Sequence, residues 1–192
     1  MVPVFGSMDL AAGEHKVVPL KAGLIKNLKS DPAIRAFLDT IAYAEGTFHA
    51  GPEGYKLGYP KPYAFKSYER HPKTVRCAIS RKKRLCSSAA GRYMFLHKTW
   101  DTIAKKLHLS DFSPLNQDIA ALYLLHEQGA ISDIQKEHFK EAINKVKHIW
   151  SSLPGSPYGQ PRKKMADLKK RFQARLEHYR KYLQATGRRQ NG

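Results

Sequence analysis

Apolar positions recur three and four residues apart in several stretches of this chain, which is the spacing of one face of an α-helix. The first clear stretch begins at Ser30-Asp31-Pro32, where a capping residue precedes a proline near the first helical position. Gly46 is a natural stop for a helix. The pattern therefore predicts one helix that ends just before Gly46. Its apolar positions are Ile34, Phe37, Leu38, Ile41 and Ala42.

Helical spacing returns between residues 91 and 150 and predicts three further helices. The first is marked by Phe95, Trp100, Ile103 and Leu107, the second runs from Asn116 to about Gln128 with Gly129 at its end, and the third is marked by Phe139, Ile143, Val146 and Trp150. A loop rich in Gly and Pro is predicted at 151–161. The last segment is a basic amphipathic helix marked by Met165, Leu168, Phe172, Leu176, Tyr179 and Leu183.

Residues 46–90 differ in character, because Gly, Pro, Tyr and basic residues dominate there and favour turns and short strands over helix. Residues 1–29 show weak periodicity, which is typical of an extension or a loosely docked strand. A helix, a small β region and then several helices predict an α+β domain. We expect this domain at 30–175, with residues 1–29 as an N-terminal extension and residues 176–192 as a basic C-terminal extension of the last helix.

The chain has 192 residues, and 34 Lys and Arg against 16 Asp and Glu give a net charge of +18. This charge predicts a polyanionic partner, and nucleic acid, anionic lipid and the acidic bacterial envelope all qualify. Half of the charge lies in residues 161–192. No apolar run is long enough to predict a transmembrane helix, and Met1–Leu10 is too short and too mixed for a secretory signal.

The two cysteines, Cys77 and Cys86, belong neither to a CxxC motif nor to a His-rich zinc set. A hairpin with the basic tip Arg81-Lys82-Lys83-Arg84 would bring them within disulfide range. In an oxidising compartment a disulfide and two ordinary thiols are equal alternatives, whereas the cytosol favours the thiols. We expect neither a metal nor a cofactor.

Glu45 is the clearest candidate for a residue that takes part in chemistry. It lies four residues after Ile41 and seven after Leu38, so it projects from the apolar face of its helix. It also lies in the last turn, where the helix dipole disfavours a carboxylate. Burial and the dipole predict a raised pKa, and a protonated carboxyl near neutral pH is what glycosidic bond cleavage needs. The alternative is a helix-end Glu that points to solvent.

A series of short motifs follows Glu45 in a fixed order. The motifs are Ile41-Ala42-Tyr43-Ala44-Glu45-Gly46-Thr47, Tyr68 with His71-Pro72, Ala90-Gly91-Arg92-Tyr93, Asp111-Phe112-Ser113-Pro114 with Gln117-Asp118 and Gly129-Ala130, and finally Trp150, Ser152-Leu153-Pro154-Gly155 and Tyr158-Gly159-Gln160. Over roughly residues 31–175 this set resembles the bacteriophage lambda endolysin family, lytic transglycosylases with a lysozyme-like fold. The resemblance implies a mainly helical α+β fold in which the small β region forms one lip of a cleft.

By this resemblance Glu45 is the single catalytic acid and base. The cleft lies between one lip at about residues 55–86 and a second lip at about residues 151–161. The substrate-binding residues that the resemblance implies are Tyr68, Tyr93, Tyr158 and Gln160. Packing is the alternative role for Tyr93, and loop geometry is the alternative for Tyr158 and Gln160.

The chain also departs from the family. Ala44 stands where the family usually has Ser, and Met94 where it usually has Gln, so details of glycan contact are not carried over. The stretch Tyr59–Tyr63 differs in length and composition. The extensions at 1–29 and about 176–192 have no counterpart in the resemblance.

The resemblance implies cleavage of the MurNAc–GlcNAc β-1,4 bond in peptidoglycan with formation of a 1,6-anhydro ring, for lysis of a bacterial host. The alternative is a hydrolytic muramidase, which needs a second carboxylate, and Glu53 and Glu69 are the candidates. His71 is expected to be structural. Arg92 is expected to pair with an internal acid, with a substrate carboxylate as the alternative.

The expected partner is therefore the glycan strand, and the basic last helix suggests a further anionic partner such as the lipopolysaccharide of an outer membrane. A nucleic-acid binder is the competing class, but no RNP, zinc-finger or helix-turn-helix motif supports it. An inactive wall-binding protein is a third alternative. We expect a monomer that is made in the host cytoplasm and released to the periplasm at lysis.

Overall fold

The structure is a computed structural model that describes residues 9–80, 83–158 and 163–190. Its helices and one small antiparallel sheet confirm the mainly helical α+β class. The elements in chain order are α1 (Asp9–Ser30), α2 (Pro32–Glu45), a 3-10 helix (Phe48–Lys56), β1 (Arg76–Ser80), β2 (Lys83–Ser87), α3 (His97–Leu107), α4 (Pro114–Glu127), α5 (Ile131–Gln135), α6 (Phe139–Val146) and α7 (Met165–Gln190). Within the described ranges, every helix is too short or too polar to cross a membrane.

Helix α2 begins and ends where the sequence predicts. Asp31 is its N-cap, and its carboxylate accepts hydrogen bonds from the backbone N–H groups of Ala33 and Ile34 at 2.9 and 3.2 Å. Gly46 ends the helix with φ 72°, a left-handed conformation that costs glycine little. Both signals are local in sequence, and this is why the prediction succeeds.

The core is built around α2, whose residues Phe37 and Ile41 are fully buried. Helix α7 lies along α2 and is its most extensive neighbour, while α4 and α5 also contact it. Phe37 packs edge-on against Phe139 of α6 and Phe172 of α7, with ring centroids 5.9 and 6.1 Å apart. Because α2 is held from several sides, its C-terminal residue Glu45 has a well-defined position.

Helix α1 corrects one of the two alternatives for residues 1–29: the described part, from Asp9, is helical, so the prediction of a loosely docked strand is wrong. Leu24 is 2% exposed, and Leu20, Ile25 and Leu28 pack against the core. These four positions have helical spacing, but Pro19 and Gly23 lie among them and weaken the helical signal. The C-terminal part of the segment is thus packed on the domain.

The strands β1 and β2 form a hairpin in which Cys77 lies directly opposite Cys86. The two cysteines form a disulfide, with their Cα atoms 4.0 Å apart. Ile79 is 81% exposed, so the outer part of the hairpin projects away from the core. At its base, the guanidinium of Arg76 lies 3.6 Å from the ring centroid of Tyr63.

The later helices follow the prediction with small differences. Phe95 and Trp150 are buried as expected of core residues, but each lies outside the helix to which its spacing assigned it. The short helix α5 is not predicted, because five residues are too few for periodicity to reveal. Helix α7 buries Leu168, Phe172 and Leu176, so its packed face continues beyond residue 175.

Candidate active site

Glu45 is the last residue of α2 and is half-buried where two loops approach the helix end. The hydroxyl of Ser152 donates a 2.6 Å hydrogen bond to Oε1 of Glu45. Ser152 belongs to the late loop, which is the second predicted lip. From the other side, Nζ of Lys61 donates a hydrogen bond to the backbone carbonyl of Glu45. Both predicted lips therefore contact the proposed catalytic residue.

Burial raises the pKa of Glu45 above its ordinary value, while the hydrogen bond from Ser152 and the positive charge of Lys61 lower it. Burial is the larger effect, so the raised pKa that the sequence predicts is confirmed. Neither of these two neighbours is a carboxylate. The site can thus hold a protonated acid close to neutral pH and can also stabilise the carboxylate once the proton has left.

The Gly-Thr pair after Glu45 fixes the end of the helix. The buried hydroxyl of Thr47 lies 3.1 Å from the carbonyl of Ala42 and 2.6 Å from the carbonyl of Arg92. The backbone N–H of Thr47 also donates to Ala42 at 2.9 Å. These bonds connect the end of α2 to the turn that follows β2, so Glu45 is placed by backbone contacts on both sides.

The first lip includes a turn at residues 57–64 that lies beside the helix end. Its closure depends on backbone hydrogen bonds from Gly58 to Tyr63 at 2.8 Å and from Tyr63 to Pro60 at 3.0 Å. The N–H of Tyr59 donates to the carbonyl of Ala89 at 2.8 Å, which joins the turn to the segment after β2. Lys61 lies in this turn, between Pro60 and Tyr63.

The second lip is anchored by Trp150 and Leu153, which are buried. The indole N–H of Trp150 donates a 3.0 Å hydrogen bond to the carbonyl of Tyr93. The carbonyl of Ser152 accepts from the backbone N–H of Lys163 at 3.0 Å. Ser152 therefore lies between the hydrogen bond of Trp150 to Tyr93 and its own backbone bond to Lys163, while its hydroxyl faces Glu45.

The structure separates the four residues that the resemblance implies for substrate binding. Tyr93 is 1% exposed, and its hydroxyl donates to Asp118 at 2.6 Å, which agrees with the packing role and leaves little surface for a glycan. Tyr68 is half-buried and borders an open cavity beside the 3-10 helix. Tyr158 is 58% exposed, and its hydroxyl donates to the carbonyl of His148 at 2.9 Å. Gln160 lies outside the described residues.

Behind the site lies a network of buried polar groups centred on Asp39. Arg92 donates to Oδ1 of Asp39 at 2.9 Å, so the expected pairing of Arg92 with an internal acid is confirmed. Asp118 accepts hydrogen bonds from Tyr55 at 2.8 Å and from Tyr93 at 2.6 Å. Burial raises the pKa of Asp118 to about 6 although both hydroxyls lower it. Asp39 and Asp118 therefore both bind partners inside the protein.

His71 has the structural role that the sequence predicts. It is 1% exposed, its Nδ1 accepts from the backbone N–H of Lys73 at 3.0 Å, and its Nε2 lies 2.8 Å from the carbonyl of Phe95. Because Nδ1 is an acceptor, the proton is on Nε2 and is donated to Phe95. Burial lowers the pKa of His71 and favours this neutral form.

The two candidates for a second carboxylate both point to solvent. Glu53 lies in the 3-10 helix, its side chain is 72% exposed, and it is 3.9 Å from Lys56. Glu69 is also exposed. Neither contributes to the shift in the pKa of Glu45, whose charged neighbour is Lys61.

Sequence reasoning missed Ser152 and Lys61 as neighbours of Glu45. Ser152 belongs to the motif Ser152-Leu153-Pro154-Gly155, so its segment is expected at the site although its contact with Glu45 is not. Lys61 carries no motif, and only its place in an unusual Pro-rich turn distinguishes it from the other 33 Lys and Arg residues of the chain.

Known proteins resemble this chain over most of its length. A family model described as Endolysin matches residues 35–178. The chain is similar to the endolysin of Escherichia phage lambda, with 37% identity over 141 residues that cover 72% of this chain and 87% of the lambda protein. The endolysin of Escherichia phage P2 is 39% identical over 137 residues, covering 66% of this chain and 82% of its own length.

Two solved structures resemble the fold. A bacteriophage lambda lysozyme complexed with a chitohexasaccharide has a TM-score of 0.69 and 36% identity, covering 76% of this chain and 94% of the other. A second lysozyme from bacteriophage lambda has a TM-score of 0.64 and 32% identity, with coverage of 77% and 94%.

Proposed function

This chain belongs to the endolysin family, and from that premise we propose that it is a lytic transglycosylase acting on peptidoglycan. At the coarser level it is a lysozyme-like enzyme that degrades the bacterial cell wall. The finer proposal is that it cuts the MurNAc–GlcNAc β-1,4 bond and leaves a 1,6-anhydro ring on MurNAc. The observation that carries it is the half-buried Glu45, held between Ser152 and Lys61 with a raised pKa.

In this mechanism Glu45 first acts as an acid. Its carboxyl donates a proton to the glycosidic oxygen, the bond to C1 of MurNAc breaks, and the GlcNAc hydroxyl leaves. The raised pKa keeps the proton available for this step. Ser152 and Lys61 then stabilise the carboxylate that remains.

The same carboxylate acts next as a base. It takes the proton from the C6 hydroxyl of MurNAc, and that oxygen bonds to C1, so no water is consumed. Because the hydroxyl is part of the same sugar, the reaction gains from a high effective concentration. The exposed positions of Glu53 and Glu69 support a mechanism with one carboxylate.

A hydrolytic muramidase is the alternative reaction on the same bond. It needs a second carboxylate about 5 to 10 Å from the acid to act as nucleophile or to activate water. Glu53 would take that place only if the 3-10 helix turned its side chain toward the substrate. The products distinguish the two reactions directly.

The test is digestion of purified peptidoglycan by wild type and Glu45→Gln, with mass spectrometry of the soluble muropeptides. The transglycosylase gives products about 18 Da lighter than reducing-end muropeptides, since no water is added. Reducing-end products would establish hydrolysis and direct attention to Glu53. Undiminished cleavage by Glu45→Gln would reject Glu45 as the acid.

We also propose that the enzyme acts as a monomer and reaches the wall from the host cytoplasm when the host lyses. The Cys77–Cys86 disulfide supports work in an oxidising space such as the periplasm. Sedimentation of the purified protein tests the monomer. Retention of the protein inside cells that lack other phage products, with release on permeabilisation, tests the route.

The basic face of α7 supports a proposed contact with anionic lipopolysaccharide. The apolar face of the helix packs on α2, so the proposed contact depends on exposed cations such as Lys169 and Lys170 and not on insertion. Lys169→Gln with Lys170→Gln should weaken binding to lipopolysaccharide in a salt-sensitive way. Lysis of intact Gram-negative cells should fall while digestion of purified peptidoglycan is kept, and equal losses in both assays would reject the contact.

A nucleic-acid binder remains the competing class on charge alone. Tight, salt-sensitive DNA binding without digestion of peptidoglycan would favour it. An inactive wall-binding protein would bind peptidoglycan and release no muropeptides.

A further inference from the structure

Lys61 reaches the catalytic helix from a turn that is unusual in this chain. Its Nζ donates to the backbone carbonyl of Glu45, the last residue of α2. It lies directly over Gly46, where a Cβ atom would collide with the ammonium group. Since the last carbonyls of a helix lack partners within the helix, Lys61 supplies a hydrogen bond that α2 itself cannot provide.

The turn holds Lys61 in a restricted range of positions. It is closed on itself by the backbone bonds of Gly58 and Tyr63 and joined to the segment after β2 through Tyr59. The guanidinium carbon of Arg76, in β1, lies 3.6 Å from the centroid of the Tyr63 ring. A lysine on a closed turn loses less conformational freedom when it makes its contact than one on a flexible loop.

The electrostatic setting of Lys61 also points to a role. Burial lowers the pKa of Lys61, Glu45 raises it again, and the nearby ammonium of Lys163 lowers it further. Lys61 is in turn the cation that lowers the pKa of Glu45. Lys163 is held by a cation–π contact, with its Nζ 4.9 Å from the ring centroid of Tyr43. Although Lys61 is exposed, its ammonium group and the carboxyl of Glu45 each shift the pKa of the other.

We propose that Lys61 is a positioning residue for Glu45, which fixes the last turn of α2 and stabilises the carboxylate left after the proton is donated. The inference rests on the proposed role of Glu45 as acid and base. The stretch Tyr59–Tyr63 departs in length and composition from the endolysin pattern, so the resemblance does not imply this role for Lys61.

The test compares Lys61→Met, Lys61→Arg and the control Lys66→Met in kcat, KM and pH profile on soluble glycan fragments. Lys66 is exposed in the same lip, so its loss removes one surface charge without touching Glu45. Lys61→Met should lower kcat by up to roughly a hundredfold with little change in KM, because the acid and not the sugar loses its support. Lys61→Arg should restore much of kcat, and Lys66→Met should match wild type.

The pH profile separates this role from simple packing. Activity requires protonated Glu45, so the alkaline limb of kcat/KM follows the pKa of that carboxyl. Without the positive charge that pKa rises, and the limb of Lys61→Met should move to higher pH, whereas Lys61→Arg should keep the wild-type limb. An unshifted limb in Lys61→Met would overturn the inference. A shared loss of activity in both Lys61 variants with unchanged limbs would also overturn it, since it would indicate packing.

The proposed function has its own control in the same experiment. Full activity of Glu45→Gln would reject the catalytic role of Glu45 and with it the premise of the inference. Loss of activity in Glu45→Gln together with a wild-type profile in Lys61→Met would reject the inference alone. Melting temperatures of all variants identify any that fail to fold. If Lys61→Met fails to fold, the kcat of Lys61→Arg is compared with the kcat of Lys66→Met instead.

Discussion

The hydroxyl of Tyr179 donates a 2.7 Å hydrogen bond to Oδ2 of Asp39, which joins the last helix to the middle of the helix that ends in Glu45. Arg175 donates to the same oxygen at 2.7 Å, and Arg92 occupies the other oxygen at 2.9 Å. Asp39 is 7% exposed, so these donors replace the water it would otherwise bind. Helix α7 therefore helps to hold α2, the helix that carries Glu45, through contacts that do not depend on the net charge of α7.

Tyr179→Phe should lower the free energy of unfolding by about 1.5 to 3 kcal/mol, the range for a hydrogen bond to a charged group. The change removes one donor from Asp39 and leaves the ring in place. Urea unfolding measures the loss. Tyr182→Phe is the matched control, since Tyr182 is 52% exposed and lies one turn further along α7. Equal stability of the two variants would contradict the role of this bond.

Ser152→Ala should move the alkaline limb of kcat/KM to higher pH. The Ser152 hydroxyl favours the ionised form of Glu45, so its removal raises the pKa of that carboxyl. A loss of kcat is expected as well, because the carboxylate formed in the reaction loses a 2.6 Å hydrogen bond. Ser152→Thr keeps the hydroxyl and should restore the limb. A limb that is the same in all three proteins would count against the contact.

Asp118→Asn should stabilise the protein increasingly between pH 4 and pH 6. Burial holds the pKa of Asp118 at about 6 in the folded state, against an ordinary value of 3.8. Wild type thus loses stability as the pH rises through this window, since the unfolded chain gives up its proton first. The difference in unfolding free energy should grow by up to about 3 kcal/mol. Urea unfolding from pH 4 to 7 measures it, and the surface variant Asp167→Asn should show no comparable trend.

Replacement of both Cys77 and Cys86 by Ser should loosen the hairpin more than the whole fold. The disulfide closes a short loop, worth about 2 to 3 kcal/mol in chain entropy. The hairpin contributes few buried side chains, so the melting temperature should fall only slightly. Hydrogen exchange of amides in 76–87 should accelerate by between roughly 30-fold and 140-fold. A large drop in melting temperature would show that the hairpin is part of the core.

The sequence predicts α2 well because the signals that define this helix are local. Asp31, Pro32 and Gly46 define its ends, and the spacing from Ile41 places Glu45 on the buried side. The spacing favours burial of Glu45 and a raised pKa of its carboxyl, but it leaves open a side chain that points to solvent. The hydrogen bond from Ser152, which the sequence does not predict, decides between the two.

The neighbours of Glu45 could not be predicted in the same way. Ser152 is 107 positions away in the chain and Lys61 is 16 positions away, so their contacts depend on how the loops fold back. Tyr93 illustrates the opposite case, because its motif suggests a cleft residue while Asp118 draws its hydroxyl inward. The orientation of a tyrosine ring depends on which group its hydroxyl forms a hydrogen bond with.

The disulfide of the hairpin also makes the segment between Cys77 and Cys86 a covalent ring. The segment contains Arg81, Lys82, Lys83 and Arg84 in a row, which gives four bonds of the kind that trypsin cuts. A single cut there would leave both halves of the chain linked through the sulfur atoms. The nicked protein would migrate as one band without reductant and as two bands with it, and the first lip would survive a protease that had already cleaved its backbone.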